Sequence, residues 1–238
     1  MKIKIILIVS AIVLMILVDI NLLWGKTGID DYTGENILYL IKPIGESEYN
    51  DLGTVDLEGV KVNLVTLRTK ILFFEDTEKI YSDIDSLLPR KVERNISSFW
   101  AKEYITEEYD QKKFTVTLKK FKRGKIIKEQ ITQANGPIHN AIALLFRMCR
   151  TDDLKIGWQI AVRMPRDEFK VELVSIDAIT ISDNKVSDNQ FQAYHFKSIP
   201  ENLDIWVNKD SPRIPLKIQG KGIFNYVLSM KKYSLHSN

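Results

Sequence analysis

Gly136-Pro137-Ile138-His139-Asn140-Ala141-Ile142-Ala143-Leu144-Leu145-Phe146-Arg147-Met148-Cys149-Arg150 is the one convincing helix in the body of the chain. Asn135 or Gly136 is placed to cap it. Pro137 suits a first turn, because its missing N–H would be unbonded there. Ile138, Ala141, Ile142, Leu145, Met148 and Cys149 recur at helical spacing and predict one buried stripe. His139, Asn140, Ala143, Arg147 and Arg150 fall on the other face. The expected helix spans 137–150.

Both flanks read as β-strand. Phe114-Thr115-Val116-Thr117-Leu118-Lys119 alternates with period two, the mark of a strand buried on one face. Lys122-Arg123-Gly124-Lys125 turns it into Ile126–Ile131 as a hairpin. Further upstream, Ile37–Ile41 and Val60–Leu67 have strand composition, with Glu58-Gly59 as a turn, and Phe73–Asp83 is extended. Downstream, Trp158–Val162, Phe169–Ile179, Gln190–Lys197 and Gly222–Leu228 continue the series. Leu203–Val207 pairs with Leu216–Ile218 across Asn208–Arg213. Roughly nine to eleven short strands at this spacing predict an antiparallel meander. The expected fold is an all-β-dominated α+β domain: a strongly curved antiparallel sheet, or open barrel, wrapped on one helix.

The N-terminus is different in kind. Met1-Lys2-Ile3-Lys4 is basic, and Ile5–Val18 is apolar apart from Ser10. The run extends to Trp24, placed as an interfacial anchor. It predicts a hydrophobic helix, either a cleaved signal or an uncleaved membrane anchor over 5–24. Lys2 and Lys4 stay in the cytoplasm, which puts the body in the periplasm, anchored to the inner membrane or released. The organisation is then signal or anchor 1–24, linker 25–36, β domain 37–230 and tail 231–238.

Lys plus Arg is 34 and Asp plus Glu is 31, a net charge of +3, which gives no whole-molecule case for nucleic acid. The single Cys149 excludes an intrachain disulfide and a cysteine-built zinc site, and its place on the apolar stripe reads as an inert thiol. His139, His195 and His236 share no ligand spacing. With no phosphate loop, nucleophile elbow or metal-spaced set, no catalytic, cofactor-binding or metal residue is nominated, and no cofactor is expected.

The strongest local charge feature is Lys112, Lys113, Lys119, Lys120, Lys122, Arg123, Lys125 and Lys128. It reads either as a solvated hairpin tip or as a contact for anionic lipid headgroups or an acidic envelope polymer. For that contact Lys119, Lys120, Lys122, Arg123 and Lys125 are the candidates. Asp83/Asp85, Glu107/Glu108 and Asp152/Asp153 read as solvated loop carboxylates, and His195 as a structural histidine on a strand. Phe73, Phe74, Phe99, Trp100, Trp158, Phe169, Trp206, Phe224 and Tyr226 read first as core, with an apolar groove as the other reading.

Four features occur in order in the second half: Ala143–Arg147, a helix ending in arginine; Gly157-Trp158-Gln159-Ile160-Ala161-Val162; Leu203–Asp210 with Arg213–Ile218; and Gly222-Ile223-Phe224-Asn225. Tyr81-Ser82-Asp83 and Leu88-Pro89 fit upstream. The pattern resembles the DUF3108 family of exported bacterial proteins over roughly Glu35 to Met230, most specifically at Trp206–Ile218. Where that family usually carries an Asp and a Ser before the helix, this chain has Ile138-His139-Asn140-Ala141. The resemblance implies a curved antiparallel sheet in the cell envelope and no established reaction, cofactor or catalytic residue. The expected function is a non-enzymatic binding or structural module for a lipid, a glycan or an envelope protein. The alternative is an envelope hydrolase or transferase with an unrecognised site.

Overall fold

The computed structural model describes residues 34–165, 167–183, 187–221 and 225–235. The expected hydrophobic helix over 5–24, with Ile5, Val18 and Trp24, lies outside the described residues. Among those residues no helix is long and apolar enough to cross a membrane.

Eight strands precede the helix: β1 (Glu35–Lys42), β2 (Glu46–Leu57), β3 (Val60–Ile71), β4 (Phe74–Ser82), β5 (Pro89–Ser97), β6 (Lys102–Asp110), β7 (Thr115–Lys122) and β8 (Lys125–Gln133). After α1 (Ala141–Cys149) come β9 (Gln159–Arg163), β10 (Glu168–Asp183), β11 (Ser187–Ile199), β12 (Leu203–Asn208), β13 (Pro215–Gly220) and β14 (Tyr226–Leu235). All fourteen form one antiparallel sheet in the order β8-β7-β6-β5-β4-β3-β2-β1-β14-β13-β12-β11-β10-β9. The chain meanders outward to β8, crosses by α1 to the far edge at β9, and meanders back until β14 pairs with β1. The sheet is open between β8 and β9, and α1 is the segment that connects those two edges.

The strands outnumber the sequence expectation because several do not alternate cleanly. β5 reads Pro-Arg-Lys-Val-Glu-Arg-Asn-Ile-Ser, and its inward positions Val92 and Ile96 are separated by Arg94, which also faces inward. An inward charge breaks the apolar period that sequence reading relies on.

The helix begins later than expected. Asn140 is the cap, and its side-chain oxygen accepts the N–H groups of Ile142 (2.9 Å) and Ala143 (3.2 Å). Ile138 and His139 stay outside the helix because tertiary partners claim their backbone. The His139 N–H donates to the Arg163 carbonyl (2.6 Å), and the Arg163 N–H donates to His139 Nδ1 (3.1 Å). From the other side, Gln111 donates to the carbonyls of Ile138 (2.8 Å) and Pro89 (3.0 Å), and accepts the Ile138 N–H (3.0 Å). The segment before α1 is thus tied both to the β9 edge and to the β6–β7 turn.

Ala143, Leu144, Leu145, Phe146, Met148 and Cys149 are all buried. Ala143 falls on the face expected to be polar. A helix on a flat sheet buries one stripe, whereas one inside a wrapped sheet is covered on most sides. Tyr49 of β2 stacks on Phe146, with centroids 3.6 Å apart and planes at 9°. At the other end of α1, Arg150 pairs with Asp51 of β2, and Arg213, past β12, donates to the Thr151 carbonyl.

The helix does not line the whole inner face. One inward row runs across seven strands as Ile37, Tyr49, Leu67, Glu78, Arg94, Ile105 and Lys120. Its chemistry changes from apolar to charged where the sheet runs past α1.

Candidate functional site

Four places gather reactive or exposed side chains. The first is inside, at the C-terminal end of α1. Glu35 and Asp51 are 2% and 3% exposed, Arg150 donates to Asp51 (2.7 Å), and the Tyr233 hydroxyl donates to Glu35 (3.3 Å). Burial, opposed by Arg150 and reinforced by Asp51, pushes the Glu35 carboxyl up to about 7. The Tyr49 hydroxyl is buried without a hydrogen-bond partner beside a cavity of about 10 Å³ that Phe146 and Arg150 also line. That space holds one water molecule at most.

The second lies under β4–β6, beyond the helix. Arg94 donates through Nε to both oxygens of Asp76 (3.0 and 2.8 Å) and contacts Glu78 (3.2 Å), while the Tyr109 hydroxyl donates to Glu107. Burial pushes Glu78 up to about 7, against the pull of Arg94. Glu107 and Glu108 were expected together in a solvated stretch. Strand β6 separates them: Glu107 points in and Glu108 points out.

The third is on the outer face, where Ser175, His195, Trp206 and Lys217 align across β10–β13. His195 Nε2 lies 2.9 Å from Asp204 and Nδ1 2.9 Å from Asp177; Ser175 Oγ is 3.4 Å from Nδ1. The His195 ring stacks on Trp206 at 4.3 Å, and Lys217 Nζ lies over that same Trp206 ring at 4.5 Å. Burial opposes ionisation of Asp204, but hydrogen bonds from Lys221 and His195 outweigh it and hold that carboxyl below the usual range. Both ring nitrogens face carboxylates, and Asp177 lies closer to Nδ1 than the Ser175 hydroxyl does. The clamp fastens four strands together.

The fourth is the end of the sheet formed by the β1–β2, β3–β4, β5–β6 and β7–β8 turns, which an up-and-down meander places together. Leu72 (72%), Phe73 (76%), Phe99 (73%) and Trp100 (75%) are exposed there, joined by Ile44 on the β1–β2 turn. Phe73 meets Phe99 edge-on at 6.1 Å across two hairpins, and Phe99 meets Trp100 at 5.2 Å. The sequence reading put Phe73, Phe99 and Trp100 in the core. The structure corrects this: they occupy turns, past the last inward positions of their strands. Phe169 is buried as expected, and Phe224 lies outside the described residues.

The candidate cations divide. Lys122, Arg123 and Lys125 are exposed on the β7–β8 turn at this same end, where Arg123 (φ 50°) and Gly124 (φ 75°) make the left-handed two-residue connection. Lys119 and Lys120 sit lower on β7, half-buried, and face Glu108 (3.8 Å) and Glu103 (2.6 Å) of β6. Lys112 and Lys113 belong to the β6–β7 turn at the opposite end. Below the tips, a groove of about 380 Å³ on β5–β7 is lined by Tyr104, Phe121, Lys102 and Arg123 among others. Among the described residues no three His, Cys, Asp or Glu side chains are grouped to hold a metal.

A family model described as "Protein of unknown function (DUF3108)" matches residues 51–229. No curated protein matches the sequence. A solved structure similar to this one is a beta-barrel-like protein of the domain of unknown function DUF1849 from Brucella abortus. It aligns with a TM-score of 0.53 at 9% identity, over 85% of this chain and 98% of that one. At that identity the likeness is one of fold.

Proposed function

The chain belongs to the DUF3108 family, whose function is unknown, and we propose that it is a non-enzymatic module of the bacterial cell envelope that meets its partner on the outside of the sheet. The observation that carries this reading is the filling of the inside. Helix α1 and the Arg94 and Arg150 ion pairs occupy the inner face, and the cavity beside Tyr49 and Phe146 is water-sized. A lipid chain or sugar has no room there, so a lipid, glycan or protein partner binds outside. In this reading residues 5–24 direct the body to the periplasm, as an inner-membrane anchor or a cleaved signal.

The hydrolase alternative has one specific place to stand, the Ser175–His195–Asp204 line. Asp177 on Nδ1 argues against it. The test is native mass spectrometry of the full chain purified in mild detergent from the bacterial envelope. The expected result is a chain without a retained small molecule, with surface partners that high salt removes. A salt-resistant small molecule held one to one would overturn the reading. So would an ester- or glycan-cleaving activity lost in Ser175→Ala.

A further inference from the structure

Building on that exterior-binding reading, we infer that the hairpin-tip end is a bilayer-insertion edge: Leu72, Phe73, Phe99 and Trp100 enter the headgroup–acyl boundary of an anionic phospholipid membrane, and Lys102, Lys122, Arg123 and Lys125 engage its phosphates. Four large apolar side chains more than seventy percent exposed, on two adjacent turns, form a patch that water solvates poorly. They project from turn tips, and the groove beside them on β5–β7 is lined by the charged Lys102, Glu103 and Arg123 as well as Tyr104 and Phe121, unlike the apolar groove that an amphipathic partner helix needs. Phe and Trp at such tips match the interfacial preference of aromatic rings, apolar in body and, for Trp, polar at one edge.

Two further features fit a membrane. The segments Ser97–Lys102 and Lys122–Lys128 contain cations and no acid, so the β5–β6 and β7–β8 turns present positive charge beside the apolar tips; at the other two turns Glu46 is paired with Lys231 and Glu75 with Arg68. The β5–β6 tip also closes on itself: Ser98 N–H donates to the Ala101 carbonyl (2.8 Å), and the Ala101 N–H donates to the Ser98 hydroxyl (3.2 Å). A turn closed in this way presents Phe99 and Trp100 with the amides of Ser98 and Ala101 already bonded. The groove below it, with Lys102 and Arg123 beside Tyr104 and Phe121, lies where headgroups would reach once the tips are in. Strand β1 starts at Glu35, at the end of the sheet opposite the tips.

The test uses the full chain reconstituted in vesicles of phosphatidylcholine, with and without phosphatidylglycerol. Phe99→Cys and Lys112→Cys variants carry an environment-sensitive fluorophore, one at the tips and one at the far end; the native Cys149 is 2% exposed and does not compete for label. The expected result is a blue shift and quenching by brominated lipid at position 99 in the anionic vesicles, with position 112 unchanged. Lys122→Gln, Arg123→Gln and Lys125→Gln together should lower the inserted-to-free ratio by roughly fivefold per cation removed. A label at 99 as solvent-exposed as that at 112, or equal shifts at both, overturns the inference. Shielding of position 99 only when envelope proteins are added also overturns it, and leaves the exterior-binding reading intact. A ligand retained inside the sheet would instead remove that reading. Should the labelled variants misfold, the fall in bromolipid quenching of native tryptophan in Trp100→Phe reads the same insertion.

Discussion

The sheet fills its inside in two ways. Around β1–β3 and β10–β13 the inner face meets α1, and Phe146, Phe169, Phe196 and Leu216 are buried in one core, with the Asp51–Arg150 pair beside Tyr49. On β4–β6 the same face adds, beside the core residues Ile80 and Val92, Arg94 bonded to Asp76 and Glu78, with Glu107 held by Tyr109. The difference follows from length. A nine-residue helix is about 14 Å long and cannot reach every strand of a fourteen-stranded sheet. Where no helix arrives, long side chains bridge the space, and a charged pair survives there only because each member satisfies another.

The largest effect is expected where the helix is anchored. Phe146→Ala should cost about 3–5 kcal/mol in denaturant unfolding, since it leaves a cavity against the Tyr49 ring. Arg94→Met tests the other filling and should cost about 3 kcal/mol at neutral pH by leaving its carboxylates unpaired. Because those carboxylates then take up protons, the cost should shrink as the pH falls. A pH-independent loss would mean that Arg94 matters for its packing and not for its charge.

Titration separates the two regions further. Glu35 and Glu78 each sit at about 7 in the folded chain against an ordinary 4.5. The folded state therefore holds extra protons between those values, and stability falls as pH rises through that window, by at most roughly 3 kcal/mol per group. Glu78→Gln and Glu35→Gln should each flatten the decline when unfolding is followed from pH 4.5 to 8. His139 runs the other way. Burial, with Arg147 nearby, lowers it from 6.5 to about 3, so its contribution is complete above 6.5 and is lost as pH falls toward 3. His139→Asn keeps an acceptor for the Arg163 N–H and should soften the acid-side loss in the same assay. The smallest effect belongs to the tips: Trp100→Ala should change stability by no more than about 0.5 kcal/mol, because the side chain is already exposed. A larger loss in thermal unfolding would show that the aromatic cluster supports the fold.

The turn at Lys122–Lys125, the long alternating strand at Phe169–Ile179 and the helical period through Leu145 and Cys149 were legible because each is a local pattern. The candidate site was legible only in part. Lys122, Arg123 and Lys125 could be found as a basic turn, but Lys119 and Lys120 look equal to them in sequence, and only the β6 partners Glu103 and Glu108 set them apart. Phe73, Phe99 and Trp100 were misplaced because aromatic composition signals burial without saying where a strand stops being covered.

By itself, then, the sequence determined that antiparallel strands surround one helix, that its lone thiol is buried, and which family it joins, since these depend on residue periods and on motif order. Tertiary structure decided that α1 starts at Asn140, that β14 closes on β1, which cations are neutralised, and which aromatics stay in water. The reason is distance along the chain. Gln111 fixes Ile138, Arg163 fixes His139, and Tyr233 reaches Glu35 across nearly the whole chain, contacts that no local window contains.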